Sequence, residues 1–176
     1  MSNTLYVMEA VNLFCGDDDP NASKHLTLSE LKLPDLTETF ADHKPGGGRV
    51  GIEIAVGVEK LNAPFKLNGF DPQLLTQFGL NARVSNNYTA YGVIKDQRTG
   101  RSIEQKALIE GRLGKVAGDA FQHGELQGYE YAIHGITHYE FYFDGQEKVF
   151  WDFFTNIWRI DGTDQNAETN AILRLV

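Results

Sequence analysis

Residues 129–160 read YEYAIHGITHYEFYFDGQEKVFWDFFTNIWRI. Two aromatic-rich runs flank Asp144-Gly145, and this dipeptide is a strong cue for a two-residue hairpin turn because both central positions must tolerate positive φ. The expected arms are 129–143 and 146–160, with Tyr139 opposite Phe150 on one face and His138 opposite Trp151 on the other. Such aromatic density places the hairpin in the core of a mainly β protein.

Outward from this hairpin, the remaining segments are short, alternating and punctuated by 18 Gly, which again reads as β structure. In 49–60, Ile52, Ile54, Val56 and Val58 alternate with Glu53, Ala55, Gly57 and Glu59, the period of two of a half-buried strand. After Asn62 and Pro64, Phe65 and Leu67 alternate with Lys66 and Asn68, so a returning strand is expected, making a hairpin with the first. Asp71 can cap a helix, Pro72 suits its first turn, and Gly79 can close it, with Leu74, Leu75 and Phe78 on the apolar side. Residues 83–95 and 101–113 read as two more strands joined by a turn at Asp96, Gln97, Arg98, Thr99 and Gly100, and a Gly-rich stretch follows over 114–128. A last helix, capped by Thr163 or Asp164, carries Ala167, Ala171, Ile172 and Leu175.

The 176 residues suit one domain over 1–176. No apolar run approaches the ~18 residues of a membrane span, and the first ten residues lack the basic start of a secretory signal, so a protein kept inside a cell is expected. Cys15 is the sole cysteine, which excludes an internal disulfide. With 16 Lys plus Arg against 24 Asp plus Glu, the net charge of -8 argues against a protein that grips nucleic acid, since phosphate neutralisation by cations dominates that affinity.

Several motifs suggest chemistry and fail on spacing. His134 and His138 would bring two metal ligands together on a helix, but on a strand their Cα atoms stand roughly 13 Å apart. Asp17, Asp19 and Asn21 start like a calcium loop, yet Ala22 stands where Gly is needed and Leu28 where Glu is needed. Gly46, Gly47 and Gly48 lack the Lys-Ser or Lys-Thr of a phosphate loop. The sequons at Asn21 and Asn87 have no meaning without secretion. No nucleophile elbow, Cys-His pair or distinctive carboxylate pair stands out, so no enzyme, cofactor or metal is expected.

The order of motifs along the chain resembles the major tail tube protein of contractile-tailed bacteriophages. The resemblance rests on Asn12-Leu13-Phe14, Leu31-Lys32-Leu33-Pro34, the triple glycine, Ala55-Val56-Gly57-Val58-Glu59-Lys60-Leu61, and Phe65-Lys66-Leu67-Asn68-Gly69-Phe70. It continues through Phe78-Gly79, the strand end from Tyr91 to Asp96, Glu110-Gly111-Arg112, Gly124-Glu125, His138-Tyr139, Trp151-Asp152-Phe153 and Ile160-Asp161-Gly162-Thr163-Asp164. The ending Arg174-Leu175-Val176 and the acidic run Asp17 to Asp19 depart from the family pattern and bear on contacts between subunits.

This resemblance implies a β-sandwich or open barrel of the mainly β (α+β) kind with a flanking helix, six copies of which form a ring with a continuous inner β-barrel. Stacked rings make a tube around a tape-measure protein and later the genome, within a sheath and between baseplate and tail-terminator proteins. The implied place is the virion tail, after assembly in the host cytoplasm, with DNA passing unbound and no membrane involved. Tubes of phage-tail-like bacteriocins or secretion devices are the near alternatives, and a small-molecule-binding β-barrel is the distant one.

In that setting Glu53, Ala55, Gly57 and Glu59, with Lys66 and Asn68, are candidates for the lumen, and a solvated outer face accounts equally for their alternation. Negative charge suits the bore: one glutamate ~10 Å from a phosphate repels it by only about 0.4 kcal/mol in water, but repetition around rings would hold DNA off the wall. Asp42, His43, Lys44, Pro45, Gly46, Gly47 and Gly48, within a connector over 40–49, are candidates for a loop docking on the neighbouring ring.

Overall fold

The computed structural model describes residues 4–16, 20–79 and 85–175. The acidic run Asp17 to Asp19, the expected strand start at Arg83, and Val176 lie outside the described residues.

Two long strands organise the fold. β7 (Ser102–Gly118) and β8 (Gly128–Phe143) pair antiparallel along nearly their whole length. The other edge of β8 is divided. Residues 128–133 pair with β5 (Ala63–Asn68), whereas 138–143 pair with β9 (Gln146–Asp152). On the far side of β7, β6 (Asn86–Asp96) covers only its first half, and β1 (Tyr6–Cys15) continues outward from β6. β2 (Leu28–Leu31) adds to β5, while β10 (Ile157–Ile160) and β11 (Thr163–Asp164) extend β9.

The result is a nine-stranded sheet bent where the long strands must turn. Glycine permits that bend. A Cβ on Gly111 would sit 2.8 Å from Ile133 Cγ2 and 3.1 Å from the His134 carbonyl oxygen, and one on Gly114 would meet His134 Cδ2 at 2.6 Å. Across from them Gly135 has φ +56°, and register shifts fall between Glu110 and Arg112 and between Leu113 and Lys115. Bulges at glycine are a regular means of bending a sheet.

The core draws on both arms of the bend. Leu13, Tyr88 and Ile109 come from the β1–β6–β7 arm and Phe65, Leu67, Tyr131 and Ile133 from the β5–β8 arm, all buried in one cluster. Phe65 stacks on Tyr131 with ring centroids 5.2 Å apart. The mainly β class holds, as an open, bent sheet with flanking helices, not a closed barrel.

The Asp144-Gly145 hairpin forms as the sequence predicts, with Asp144 at φ 53° and Gly145 at φ 74°. Its register differs by one residue, with Tyr139 opposite Trp151 and His138 opposite Asp152, because a bulge between Phe141 and Tyr142 absorbs an extra residue. The second arm also breaks at the turn 153–156 and returns as β10.

The first helix, α1 (Pro72–Thr76), is shorter than expected. Asp71 Oδ1 accepts from the Leu74 amide at 3.0 Å, but the helix tightens and stops at Gln77, so Leu74 is buried while Leu75 and Phe78 stay exposed. Lys24 anchors the cap through a 2.6 Å ion pair to Asp71 Oδ2. In α2 (Ala167–Leu173) the cap is Asn166, since Thr163 and Asp164 form β11. What holds α2 is polar: Asn170 is buried, accepts from Asn156 Nδ2 at 2.6 Å and donates to the Asn156 carbonyl at 2.9 Å.

The expected partner of the strand 52–58 is overturned as well. The strand 52–58 does not pair with 63–68. β4 (Ile52–Val58) pairs with β3 (Glu38–His43) in a separate two-stranded sheet, because the turn after Pro45 folds the chain back earlier while Ala63, Phe65 and Leu67 are drawn into the main core.

Candidate assembly interface

The β3–β4 hairpin stands apart from the core. Every residue of β4 is exposed, as is nearly all of β3. One face carries Ile52, Ile54, Val56 and Val58, with His43 opposite Ile52 and Ala41 opposite Ile54. The other face carries Glu53 opposite Asp42 and Ala55 opposite Phe40. The turn closes through a 3.1 Å bond from the Gly48 amide to the Pro45 carbonyl, and a Cβ on Gly48 would strike Pro45 Cγ at 2.6 Å.

The structure thus divides the lumen candidates into two groups. Glu53, Ala55 and Gly57 share one face of β4, with Glu59 just beyond it and its amide bonded to the Thr37 carbonyl at 2.8 Å. Lys66 and Asn68 belong to β5, on the outer side of the main sheet. There Lys66 stands opposite Glu130 and 3.6 Å from Asp119, and Glu130 also pairs with Lys115 at 2.8 Å. Of the inter-ring candidates, Asp42 and His43 end β3, and Lys44, Pro45, Gly46, Gly47 and Gly48 form the turn at the hairpin's tip.

Three apolar surfaces escape a sequence reading. At the sheet edge Leu5, just before β1, and Tyr6, Val7 and Met8 on it are exposed; the turn after β9 presents Phe153 and Phe154; and α2 exposes Ile172 and Leu173. The four-residue apolar run starting at Leu5 was the available signal for the first.

The charged groups cluster on the outer face of β8, β9 and β10. His138 Nδ1 lies 3.0 Å from Asp152 Oδ2 and its Nε2 lies 2.8 Å from Glu140 Oε1. Burial opposes charging this ring, but hydrogen bonds to the two carboxylates outweigh it and raise its pKa above the ordinary value. Arg159 forms a bidentate pair with Glu147, both bonds 2.9 Å, and lies 3.8 Å above the Phe150 ring. His134 sits elsewhere, against Gly114, so the two histidines share no site. Among the described residues no group of three His, Cys, Asp or Glu side chains is placed to hold a metal.

A groove of about 500 Å³ opens at the hairpin's root between Val58, Leu61, Ile136, Trp151 and Trp158. The inward aromatic side of the β8–β9 hairpin is otherwise core, since Tyr139 is buried and Phe141 and Trp151 pack against the same cluster. The arrangement offers exposed strands and apolar faces for protein contact.

The chain is similar to known proteins in fold and in family. No curated protein matches the chain. A chain of the cryo-EM structure of the PVC sheath/tube terminator, from an extracellular contractile injection system in its extended state, superposes with a TM-score of 0.50 at 9% identity, covering 71% of this chain and 88% of that one. A chain of the six-fold symmetrised anti-feeding prophage baseplate superposes with a TM-score of 0.50 at 14% identity, covering 81% and 97%. These likenesses concern the fold. The match to the phage tail tube protein FII family spans residues 10–173, nearly the whole sequence; the chain belongs to that family and is a structural subunit of a tail tube.

Proposed function

We propose that six copies of the chain, each a single domain over 1–176, close into a ring and that rings stack into a hollow tube. The tube encloses a tape-measure protein, conducts DNA without binding it, and is wrapped by a sheath between a baseplate and a terminator. Its place is the virion tail, after assembly in the host cytoplasm, and its role is mechanical, with no catalytic step and no cofactor.

The observation that carries this reading is the free-standing β3–β4 hairpin. A lone two-stranded hairpin is marginal in water, and this one exposes Ile52, Ile54, Val56 and Val58 together. Each such side chain contributes roughly 1.5–3 kcal/mol when fully buried, so contact with another copy supplies the stabilisation that the lone chain lacks. A head-to-tail contact of this kind closes into a ring when its rotation permits. The chain of the six-fold symmetrised baseplate and the chain of the sheath/tube terminator, which share the fold, support the symmetry and the partners.

The test is negative-stain electron microscopy of the purified chain over a concentration series, with sedimentation velocity to resolve monomer, ring and tube. Rings or hollow tubes are expected. A chain that stays monomeric at every concentration and binds an apolar small molecule in the groove beside Trp151 and Trp158 overturns the reading.

A further inference from the structure

A ring needs an acceptor as well as a donor, and the main sheet has an edge suited to that part. β1 pairs with β6 on one side. On its other side the C-terminal half is covered, because the Lys24 amide bonds the Leu13 carbonyl at 2.9 Å and Phe14 bridges Ser23. The stretch from Tyr6 to Val11 is hydrogen-bonded to no second strand among the described residues. An uncovered edge of this kind presents backbone donors and acceptors that template a further strand.

We propose that this edge, Tyr6 to Val11, receives the β3–β4 hairpin of the next copy by strand addition; the inference rests on the assembly reading above and names the surface that completes it. Three features of the two surfaces correspond. Their lengths agree, six residues on the β1 edge against the seven of β4. Their apolar sides agree. Tyr6 and Met8 stand opposite Asp96 and Ile94 on the side of β1 that continues toward the core, where Tyr6 packs edge-on against Phe143 with centroids 5.4 Å apart. Aligning Ile52, Ile54, Val56 and Val58 with them prolongs one apolar layer from chain to chain.

That alignment also fixes the charges. It leaves Asp42 and Glu53 on the side of Val7, whose cross-strand neighbour is Lys95. The Lys95 ammonium is held by Ser102 Oγ at 3.4 Å, within reach of a neighbour's acidic pair. Strand addition uses backbone hydrogen bonds for affinity and alternate side chains for specificity, and here both faces of the donor find their counterparts.

Disulfide trapping tests the pairing. In a Cys15→Ser background, Met8→Cys is combined in turn with Ile52→Cys, Ile54→Cys, Val56→Cys and Val58→Cys, since paired strands bring some of these positions within disulfide range. Met8→Cys with Phe154→Cys is the control. At least one β4 combination should give an oxidised ladder of covalent oligomers, and the control none. On the unmodified chain, hydrogen exchange should slow at 6–11 and 52–58 on assembly. Tubes by microscopy with no ladder from any β4 combination, or with unprotected 6–11 amides, overturn the β1 assignment while the tube reading stands. A chain that remains monomeric throughout overturns both.

Discussion

Asp42 stands directly opposite Glu53 across the β3–β4 ladder, on a face whose neighbouring positions are the small residues Ala55 and Gly57. Like charges directly opposed on a sheet are unfavourable by roughly 0.2–1 kcal/mol, so this pair serves something other than the hairpin's own stability. A bore that must repel phosphate gives a reason for it. Glu53→Lys with Glu59→Lys should still allow tubes to form, since the apolar face of β4 and its backbone bonds are untouched, and should slow genome ejection, followed by DNA release from triggered particles. Unchanged release would remove Glu53 and Glu59 from the lumen.

The apolar face of the same strand gives a prediction of opposite character. Ile54 and Val56 touch solvent in the single chain, so Ile54→Asp with Val56→Asp should leave the thermal midpoint of the monomer nearly unchanged. Assembly should be lost, because an unpaired carboxylate cannot be buried at an interface without a large penalty. Calorimetry and sedimentation on one sample separate these effects. A large fall in the midpoint would mean that the hairpin packs on its own chain.

Deleting Gly46, Gly47 and Gly48 removes most of the tip while leaving both strand ladders. If the tip docks on the adjacent ring, single rings should persist and long tubes disappear in micrographs. Tubes of normal length would assign stacking to another surface.

How far the sequence discloses these features depends on where each element finds its partner. Asp144-Gly145 imposes a backbone conformation locally, so the β8–β9 turn was legible; the bulge between Phe141 and Tyr142, which leaves Lys148 without a partner in the ladder, has no such local cue and moved the register by one. The alternation from Ile52 to Val58 identified a strand with two unlike faces, but pairing lies beyond local pattern, and it went to β3. The last helix was legible from Ala167, Ala171, Ile172 and Leu175, but not what holds it: α2 is anchored by Asn156 and Asn170 and leaves Ile172 exposed. An apolar residue written for contact with another chain has the same periodicity as one written for its own core. That is why the candidate interface was legible as strand and turn residues, while the β1 edge was not.

The bend of the long strands depends on glycine at two positions for different reasons. At Gly111 the obstacle is space: a methyl group would press on Ile133 and on backbone at His134, so Gly111→Ala should cost about 1–3 kcal/mol by overpacking. At Gly135 space is open but φ is +56°, so Gly135→Ala should cost about 1–2 kcal/mol and Gly135→Asn less, since Asn tolerates the left-handed region. Urea denaturation of the three variants under conditions that keep the chain monomeric checks the order.

Two ionised groups should make stability depend on pH in opposite senses. His138 is raised by Glu140 and Asp152 against the effect of burial. Its contribution is therefore fully present below the unfolded value near 6.5 and is lost as pH rises through the higher folded value. Burial would raise Asp71, but its bonds to Lys24 and the Leu74 amide bring it below 3.8, so its contribution is present above that value and is lost as pH falls through the lower folded one. His138→Gln should flatten the stability profile on the neutral side alone. Lys24→Met strips the partly buried Asp71 carboxylate of its 2.6 Å partner and should cost about 1.5–3 kcal/mol at neutral pH, the range for a hydrogen bond to a charged group. That loss should shrink in acid, where Asp71 is protonated in both proteins. Urea midpoints from pH 3 to 9 distinguish the two groups, and a Lys24→Met loss that stays constant into acid would show that the lysine acts through its packing and not through its charge.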